Sequence, residues 1–299
     1  IAVEALAAGD EVFDLHSDSY VPVAWIGHRR VDASRHRRPG DVRPVRITRH
    51  AFGPHAPARD LLLSPDHAVF IQDVVIPVRY LVNGASIVQT PIDQVTYYHV
   101  ELARHGVLLA EGLPAESYLD TGNRSSFANG GEPVELHPDF ARRRWDEAAC
   151  APLVTSGPQL AAAKASLLAR AADLGHATTE DPALRLRQAG RTILPAKLND
   201  TTWRFLVPSD SENVQLLSRI TIPAQVTASL EDCRQLGVAV TRIVADGHEV
   251  ALDSYLLAMG WHAPEPGFRW TTGAAQLPRA SVLDISIRPM LPYRIAAAA

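Results

Sequence analysis

The chain has 299 residues, which suits two domains better than one, and its formal net charge of −4 argues against a general nucleic-acid or anionic-membrane binder. It holds no run of eighteen apolar residues, so we predict no membrane span. The two cysteines, Cys150 and Cys233, stand outside any Cys-x-x-Cys pair, which argues against a zinc knuckle or a redox pair of that kind.

The first part of the chain, residues 1–131, is rich in short β-type runs separated by Gly, Pro, Asp or Asn. No long helical period interrupts these runs, and the pattern therefore predicts a compact all-β domain. The predicted strands are 12–15, 21–26, 42–48, 59–63, 68–71, 74–77, 87–89 and 95–102.

The next part, residues 132–156, is linker-like, and it contains a helix-start pattern at 137–140. A helix is predicted from Pro158, with Gly175 as its stop signal. Strand patterns then return at 184–188, 203–207, 214–220, 238–244 and 282–287, with turn signals at Ala189-Gly190 and Asp246-Gly247.

These patterns predict a mostly β chain. We expect a compact all-β module over residues 1–131, a linker over 132–156, and a helix followed by a β-sandwich over 157–299.

A histidine stands between two predicted strands in the run Leu63-Ser64-Pro65-Asp66-His67-Ala68. Pro65 stiffens this turn, and Ser64 can cap it by bonding the backbone ahead. A histidine fixed at a strand end can protonate a leaving amide nitrogen, or distort a peptide bond toward reaction. The alternative interpretation is a surface histidine in a tight turn.

Three further polar residues, His99, Glu101 and His105, share one parity along an extended run, so we expect their side chains on one face. A histidine beside a carboxylate is held in one tautomer, which suits activation of a nucleophile. Such groups also suit zinc, but no His-Glu-x-x-His spacing accompanies them, and we predict no metal and no cofactor. A solvent-facing polar strand is the other interpretation.

Together these motifs resemble the Hint module, the self-cleaving fold of inteins and of the hedgehog autoprocessing domain, in its bacterial branch. Val3–Asp10 matches an early segment of that module, and Ser64-x-x-His67 matches its Ser/Thr-x-x-His motif. A turn at Asp120–Arg124 resembles the segment that closes the module.

The resemblance implies self-processing of a peptide bond at the N-terminal junction through an N–S or N–O acyl shift. It implies that His67 activates the amide, that His105 is the second histidine, and that His99 or Glu101 activates the nucleophile. The partner is then the chain's own N-terminal flanking polypeptide.

The resemblance also implies what is missing. The family's first strand and its Cys or Ser nucleophile precede the segment matched by Val3–Asp10, so we expect the chain to be N-terminally incomplete and inactive alone. No His-Asn pair occurs, so cleavage or transfer is expected rather than splicing of two flanks.

The second region has a distinctive run in which Trp261 and Trp270 flank Glu265 and Arg269. Tryptophan faces stack on sugars, and Glu and Arg bond hydroxyl or acidic groups. This favours an alternative function, a non-catalytic surface or assembly protein whose sandwich binds a glycan or a neighbouring subunit. In the structural interpretation the tryptophans pin a loop and Glu265 pairs with Arg269. The sequence assigns no compartment, and a secreted or cell-surface location is the expectation.

Overall fold

The computed structural model describes residues 1–132, 139–208 and 214–295, and the described chain is mostly β, as the sequence predicts. It divides into two compact units, Ile1–Gly175 and His176–Ala299. The domain boundaries predicted from the sequence differ from this division, because they assign the helix that begins at Pro158 to the second region. Those boundaries stay a prediction. Residues 133–138, which include part of the predicted linker and of its helix start, lie outside the described residues.

The first unit is built from short antiparallel strands followed by two helices. Its elements are β1 (Glu11–Asp14), β2 (Ser19–Asp32), β3 (Val45–Ile47), β4 (Leu61–Leu63), β5 (Ala68–Ile71), β6 (Val74–Pro77), β7 (Ile87–Gln89), β8 (Gln94–Leu102), β9 (Val107–Ala110), β10 (Leu113–Glu116), α1 (Phe140–Ala148) and α2 (Pro158–Asp173).

Two sheets shape this unit. The larger has the strand order β6-β5-β10-β9-β1-β2-β8, and the smaller has the order β4-β3-β7. Helix α2 begins with proline in its first turn and buries Leu160, Ala163 and Leu167 at helical spacing in the same cluster as the strand side chains Val45 and Ile76. Each such buried aliphatic side chain stabilises the unit by about 1.5–3 kcal/mol.

One hairpin was missed by the sequence analysis. Strands β9 and β10 pair directly through Ala110 and Leu113, so only Glu111 and Gly112 form the turn. Both residues have positive φ, +52° and +82°, as a primed two-residue turn requires. Glutamate is rarely found in that position, and Pro114 weakens the strand pattern, which is why the hairpin is difficult to predict.

The second unit is also antiparallel β, and no helix in the described part of the chain combines the length and apolar character needed to cross a bilayer. Its elements are β11 (Thr178–Thr179), β12 (Arg185–Gln188), β13 (Arg191–Ile193), β14 (Ala196–Lys197), β15 (Thr202–Leu206), β16 (Val214–Leu217), α3 (Pro223–Val226), β17 (Ala239–Ala245), β18 (His248–Val250), β19 (Arg269–Trp270), β20 (Ala274–Leu277), β21 (Val282–Arg288) and β22 (Tyr293–Arg294).

Two sheets of the second unit contribute to one hydrophobic cluster. One sheet has the order β13-β12-β16-β20, and the other has the order β14-β15-β21-β17-β18, with β19 paired to β17. Leu186 and Leu216 from the first sheet and Phe205 and Ile285 from the second are fully buried in this cluster. The turn signals at 189–190 and 246–247 are confirmed, because each joins directly paired strands.

Candidate functional site

The turn that carries His67 is fixed by its backbone. Strand β4 ends at Leu63 and β5 begins at Ala68, and the His67 N–H donates to the Ser64 carbonyl at 3.0 Å. The carbonyl of His67 accepts from the N–H of Val78, also at 3.0 Å. It is the Ser64 carbonyl that closes this turn, with Pro65 in the position that favours it. The imidazole therefore leaves a turn that is tied to the neighbouring chain.

The ring of His67 is partly buried and close to other titratable groups. Its centroid lies 5.7 Å from that of His99. Burial lowers the pKa of His67, contact with Glu116 opposes this effect, and the proximity of His105 adds to it. The ring is therefore uncharged at neutral pH, the form that can accept a proton.

His99 lies in an aromatic cluster. It stands on β8 opposite Gly27 of β2, and its ring centroid is 5.0 Å from that of Phe127 and 5.8 Å from that of Tyr118. Burial, together with a smaller effect of nearby His67, lowers the pKa of His99 to about 3. A β-carbon at Gly27 would collide with the indole of Trp25, so glycine lets the cluster close over His99.

Glu101 is engaged by an arginine. It forms an ion pair with Arg124, whose guanidinium lies 4.2 Å from the ring centroid of Trp25. Burial raises the pKa of Glu101, and Arg124 opposes that rise. Its carboxylate therefore holds the segment after β10 against β8, and it has no contact with His67.

His105 does not extend the face of His99 and Glu101, because β8 ends at Leu102. Its side chain is wholly buried, and its Nε2 donates to the carbonyl of Ser117 at 3.0 Å. Its Nδ1 accepts from the backbone N–H of Cys150, also at 3.0 Å. In an uncharged ring these two bonds select the Nε2–H tautomer, and protonation of Nδ1 would break the bond from the Cys150 N–H.

A residue that the sequence analysis missed, Glu116, joins the histidines. It is the last residue of β10, which pairs with β5, and its Oε1 accepts from the N–H of Ala68 at 2.8 Å. Its Oε2 lies 3.6 Å from Nε2 of His105 and has no hydrogen-bond partner among the described residues. The sequence signal that could have found it is a glutamate that ends an apolar strand just before Ser117-Tyr118.

Four residues line two neighbouring cavities. Ser64, His67, His99 and Glu116 contribute to a cavity of about 330 Å³ and also to a second one of about 250 Å³. The structure thus brings together three of the five residues predicted from the sequence. His105 is buried beyond Glu116, and Glu101 is engaged with Arg124.

The smaller cavity is a groove between two sheet edges. It is lined by consecutive residues of both edges, 61–63 of β4 with Ser64 of the following turn, and 95–100 of β8. β4 and β8 each end their sheet, and β8 pairs only with β2 among the described strands. An extended segment in this groove would lie beside the edge strands of two sheets with His67 in its wall, although the carbonyl of Val100 on β8 already accepts from the N–H of Tyr118.

No group of three or more His, Cys, Asp or Glu residues within the described ranges is arranged to hold a metal ion.

The two predicted ligand-binding tryptophans, Trp261 and Trp270, are mostly buried. Trp261 is 8% exposed and its indole N–H donates to the Gln276 carbonyl, and Trp270 is 5% exposed. Arg269 donates to the backbone carbonyls of His262 and Leu252 rather than pairing with Glu265. The pairing expected in the structural interpretation is therefore wrong. Glu265 instead lies 3.3 Å from Arg234.

Comparison with known proteins gives one match. Residues 1–122 match the family model of the Hint domain, Hint_2, and this supports a Hint domain in that part of the chain. Neither a search of curated proteins nor a search of solved structures found a match. Ser64, His67, His99, Glu101, His105 and Glu116 all lie within the matched residues.

Proposed function

We propose that the first 131 residues are an autoprocessing module of the bacterial Hint type that breaks the peptide bond at its N-terminal junction, with His67 as the amide-activating group. The observation that carries the proposal is the position of the uncharged His67 ring in the wall of a groove between two open strand edges. The family match to a Hint domain supports the reaction class.

The substrate of this reaction is the flanking polypeptide, bound as an added strand. Backbone N–H and C=O groups on β8 can pair with such a strand, as in other cases of β-augmentation. A strand placed there runs past His67 and His99, which line the groove. The junction bond is then held within reach of an imidazole rather than exposed to bulk water.

The chemistry needs one nucleophile and one proton carrier. A Cys or Ser in the flanking polypeptide attacks the preceding carbonyl carbon, a C–S or C–O bond forms, and the C–N bond breaks. His67, neutral at rest, accepts the nucleophile's proton and returns it to the leaving amide nitrogen. The resulting ester or thioester is then cleaved by water or by an added thiol.

The remaining predicted residues act as positioning groups. His99 packs against His67, and Glu101 holds Arg124 over the aromatic cluster. Glu116 lies between His67 and His105. In the proposed reaction the attacking Cys or Ser belongs to the flanking polypeptide. The second unit, whose two larger sheets share a hydrophobic cluster, is a β-sandwich outside this chemistry.

The test is a fusion protein in which a reporter domain and a short apolar strand carrying one Cys precede Ile1. We expect cleavage at that Cys on adding dithiothreitol, read by intact mass. His67→Ala should slow cleavage at least about a hundredfold. The matched control, His248→Ala, removes an exposed histidine of the second unit and should cleave like the parent.

Two outcomes overturn the proposal. One is a folded parent fusion that stays intact in dithiothreitol, and the other is a His67→Ala variant that cleaves at the parental rate. Circular dichroism spectra of both variants establish that any loss of cleavage is not a loss of fold.

A further inference from the structure

A third cavity of the first unit lies outside the groove that holds His67. It has a volume of about 770 Å³, which is in the range of small-molecule sites. Its wall is formed by the turn between β1 and β2, the end of β8 with the following turn, the segment after β10, and the end of α1. Neither His67 nor His99 is among the described residues that line it, so the autoprocessing proposal gives this cavity no role.

Most carboxylates in this wall are already engaged. Asp14 is buried and accepts three backbone N–H groups, and Glu101 forms an ion pair with Arg124. Asp120 accepts a backbone N–H at 2.9 Å. Among the described residues of the wall, Glu147 on α1 is the one carboxylate without a hydrogen bond or an ion pair to the described chain, and it is exposed.

Two arginines in the same wall have unused donors. Arg104 makes no hydrogen bond and no ion pair with the residues that the structure describes. Arg144 donates its Nε to the carbonyl of Asp120 at 3.2 Å, and its terminal nitrogens donate to none of the described residues. The Nε bond orients the Arg144 guanidinium and leaves its outer edge, a fork of N–H donors, open to a ligand. The wall thus presents two unpaired cations against one unpaired carboxylate.

Aliphatic side chains supply another part of the wall. They belong to Val21, Pro22, Leu102 and Leu119, of which Leu102 and Leu119 are buried. Apolar surface next to a small number of polar groups is the usual lining of a site for an organic molecule. The cavity therefore suits a ligand that combines a hydrocarbon group with a negative charge.

We propose that this cavity binds a small organic anion, whose carboxylate or phosphate group accepts hydrogen bonds from Arg104 and Arg144 and whose apolar group packs against the aliphatic wall. The guanidinium fork matches the oxygen atoms of both headgroups, and such charge-assisted bonds are about twice as strong as neutral ones. Binding at this site involves neither the junction peptide bond nor the imidazole of His67.

The test is isothermal titration calorimetry of the full chain with phenyl phosphate and with phenylacetate, at low ionic strength. We expect at least one of them to bind with a Kd below about 1 mM. Phenylacetamide, a neutral analogue of phenylacetate, should bind at least about tenfold more weakly than the preferred anion. The anion that binds more tightly identifies the headgroup.

Two variants locate the binding. Arg104→Gln and Arg144→Gln should each weaken it at least about tenfold. The matched control is Arg37→Gln, which removes an exposed arginine that is absent from the described wall and should leave the affinity unchanged. If Arg144→Gln fails to fold, Arg104→Gln still decides, because the Arg104 side chain has no partner in the described chain to lose.

Four outcomes overturn the proposal. They are the absence of binding by both anions, equal affinity for phenylacetamide, inorganic phosphate binding as tightly as phenyl phosphate, and an affinity that neither variant changes. Each is distinct from a failure of autoprocessing, because a fusion protein with Arg104→Gln is expected to cleave at its junction like the parent.

Discussion

The imidazoles of His67 and His99 lie with their centroids 5.7 Å apart and their planes inclined by 40°, although one follows β4 and the other stands on β8. Burial lowers the pKa of both rings, and the nearby His67 ring lowers the pKa of His99 as well. Both rings are therefore uncharged at neutral pH, and an uncharged ring can accept a proton in the groove. Because both rings must gain a proton on acidification, the stability of the first unit should depend on pH.

The first prediction concerns acid sensitivity. His99 has a pKa of about 3 in the folded protein against its ordinary value of 6.5, so the unfolded chain binds more protons between these two pH values. The stability of the first unit should therefore fall as the pH drops from 6.5 toward 3. His99→Phe, which keeps a ring in the aromatic cluster, should remove about 3 kcal/mol of the loss between pH 7 and pH 4. Urea unfolding of the parent and the variant at pH 7 and pH 4 measures this difference. Equal losses of stability in the two proteins would contradict the prediction.

The second prediction concerns the glycine under the aromatic cluster. In Gly27→Ala the added β-carbon meets the rings of Trp25 and Phe127, so one of them must shift. We expect a loss of about 2 kcal/mol in the free energy of unfolding and a change in near-ultraviolet circular dichroism from the displaced indole. Gly190→Ala is not a suitable control, since that residue has positive φ, but Gly40→Ala is, because a β-carbon there meets only Gln89 at 3.6 Å.

The third prediction concerns the ion pair of Glu101 and Arg124. The pair is partly buried, and the guanidinium also stacks on Trp25. A double-mutant cycle with Glu101→Gln and Arg124→Gln should give a coupling energy of about 1 kcal/mol. Arg124→Lys should not restore it, because an ammonium lacks the planar stacking face. Additive effects of the two substitutions would show that the pair contributes nothing.

The turn around His67 could be predicted from the sequence because its determinants are local. β5 and β6 have the predicted bounds, and Pro65 with two flanking apolar strands predicts the turn between β4 and β5. The cluster around His105 could not be predicted in this way. Its partners come from β10 and from the segment after α1, and such contacts depend on sheet order rather than on spacing along the chain.

Dependence on sheet order also explains why the sequence identified Glu101 as a candidate and did not identify Glu116. Glu101 and His99 both lie on β8, two residues apart, but strand parity says nothing about Arg124, which forms an ion pair with the Glu101 carboxylate. Glu116 reaches the histidines because β10 pairs with β5, and the sequence analysis did not find β10.

The fourth prediction concerns the charge on His105. Since its pKa is raised to about 9, its contribution to stability is present below the unfolded value of 6.5 and is lost as the pH rises through 9. Glu116→Gln removes the carboxylate beside Nε2, so the pKa of His105 should fall by at least about one unit. Proton–carbon NMR of the histidine rings across pH 5 to 10 measures it. An unchanged titration in the variant would show that Glu116 does not set this charge.

The fifth prediction decides between ligand contact and packing for the tryptophans of the second unit. Trp261 lies in the main cluster of that unit, and its indole N–H bonds a backbone carbonyl. Trp261→Ala should therefore lower the free energy of unfolding of the second unit by about 3–5 kcal/mol. The control Tyr255→Ala removes a side chain that is 87% exposed and should change stability by less than about 0.5 kcal/mol. Denaturant unfolding of both variants, with a glycan array of the parent, separates the two roles. A stable Trp261→Ala variant that loses a sugar bound by the parent would establish the glycan role, because packing alone cannot give that result.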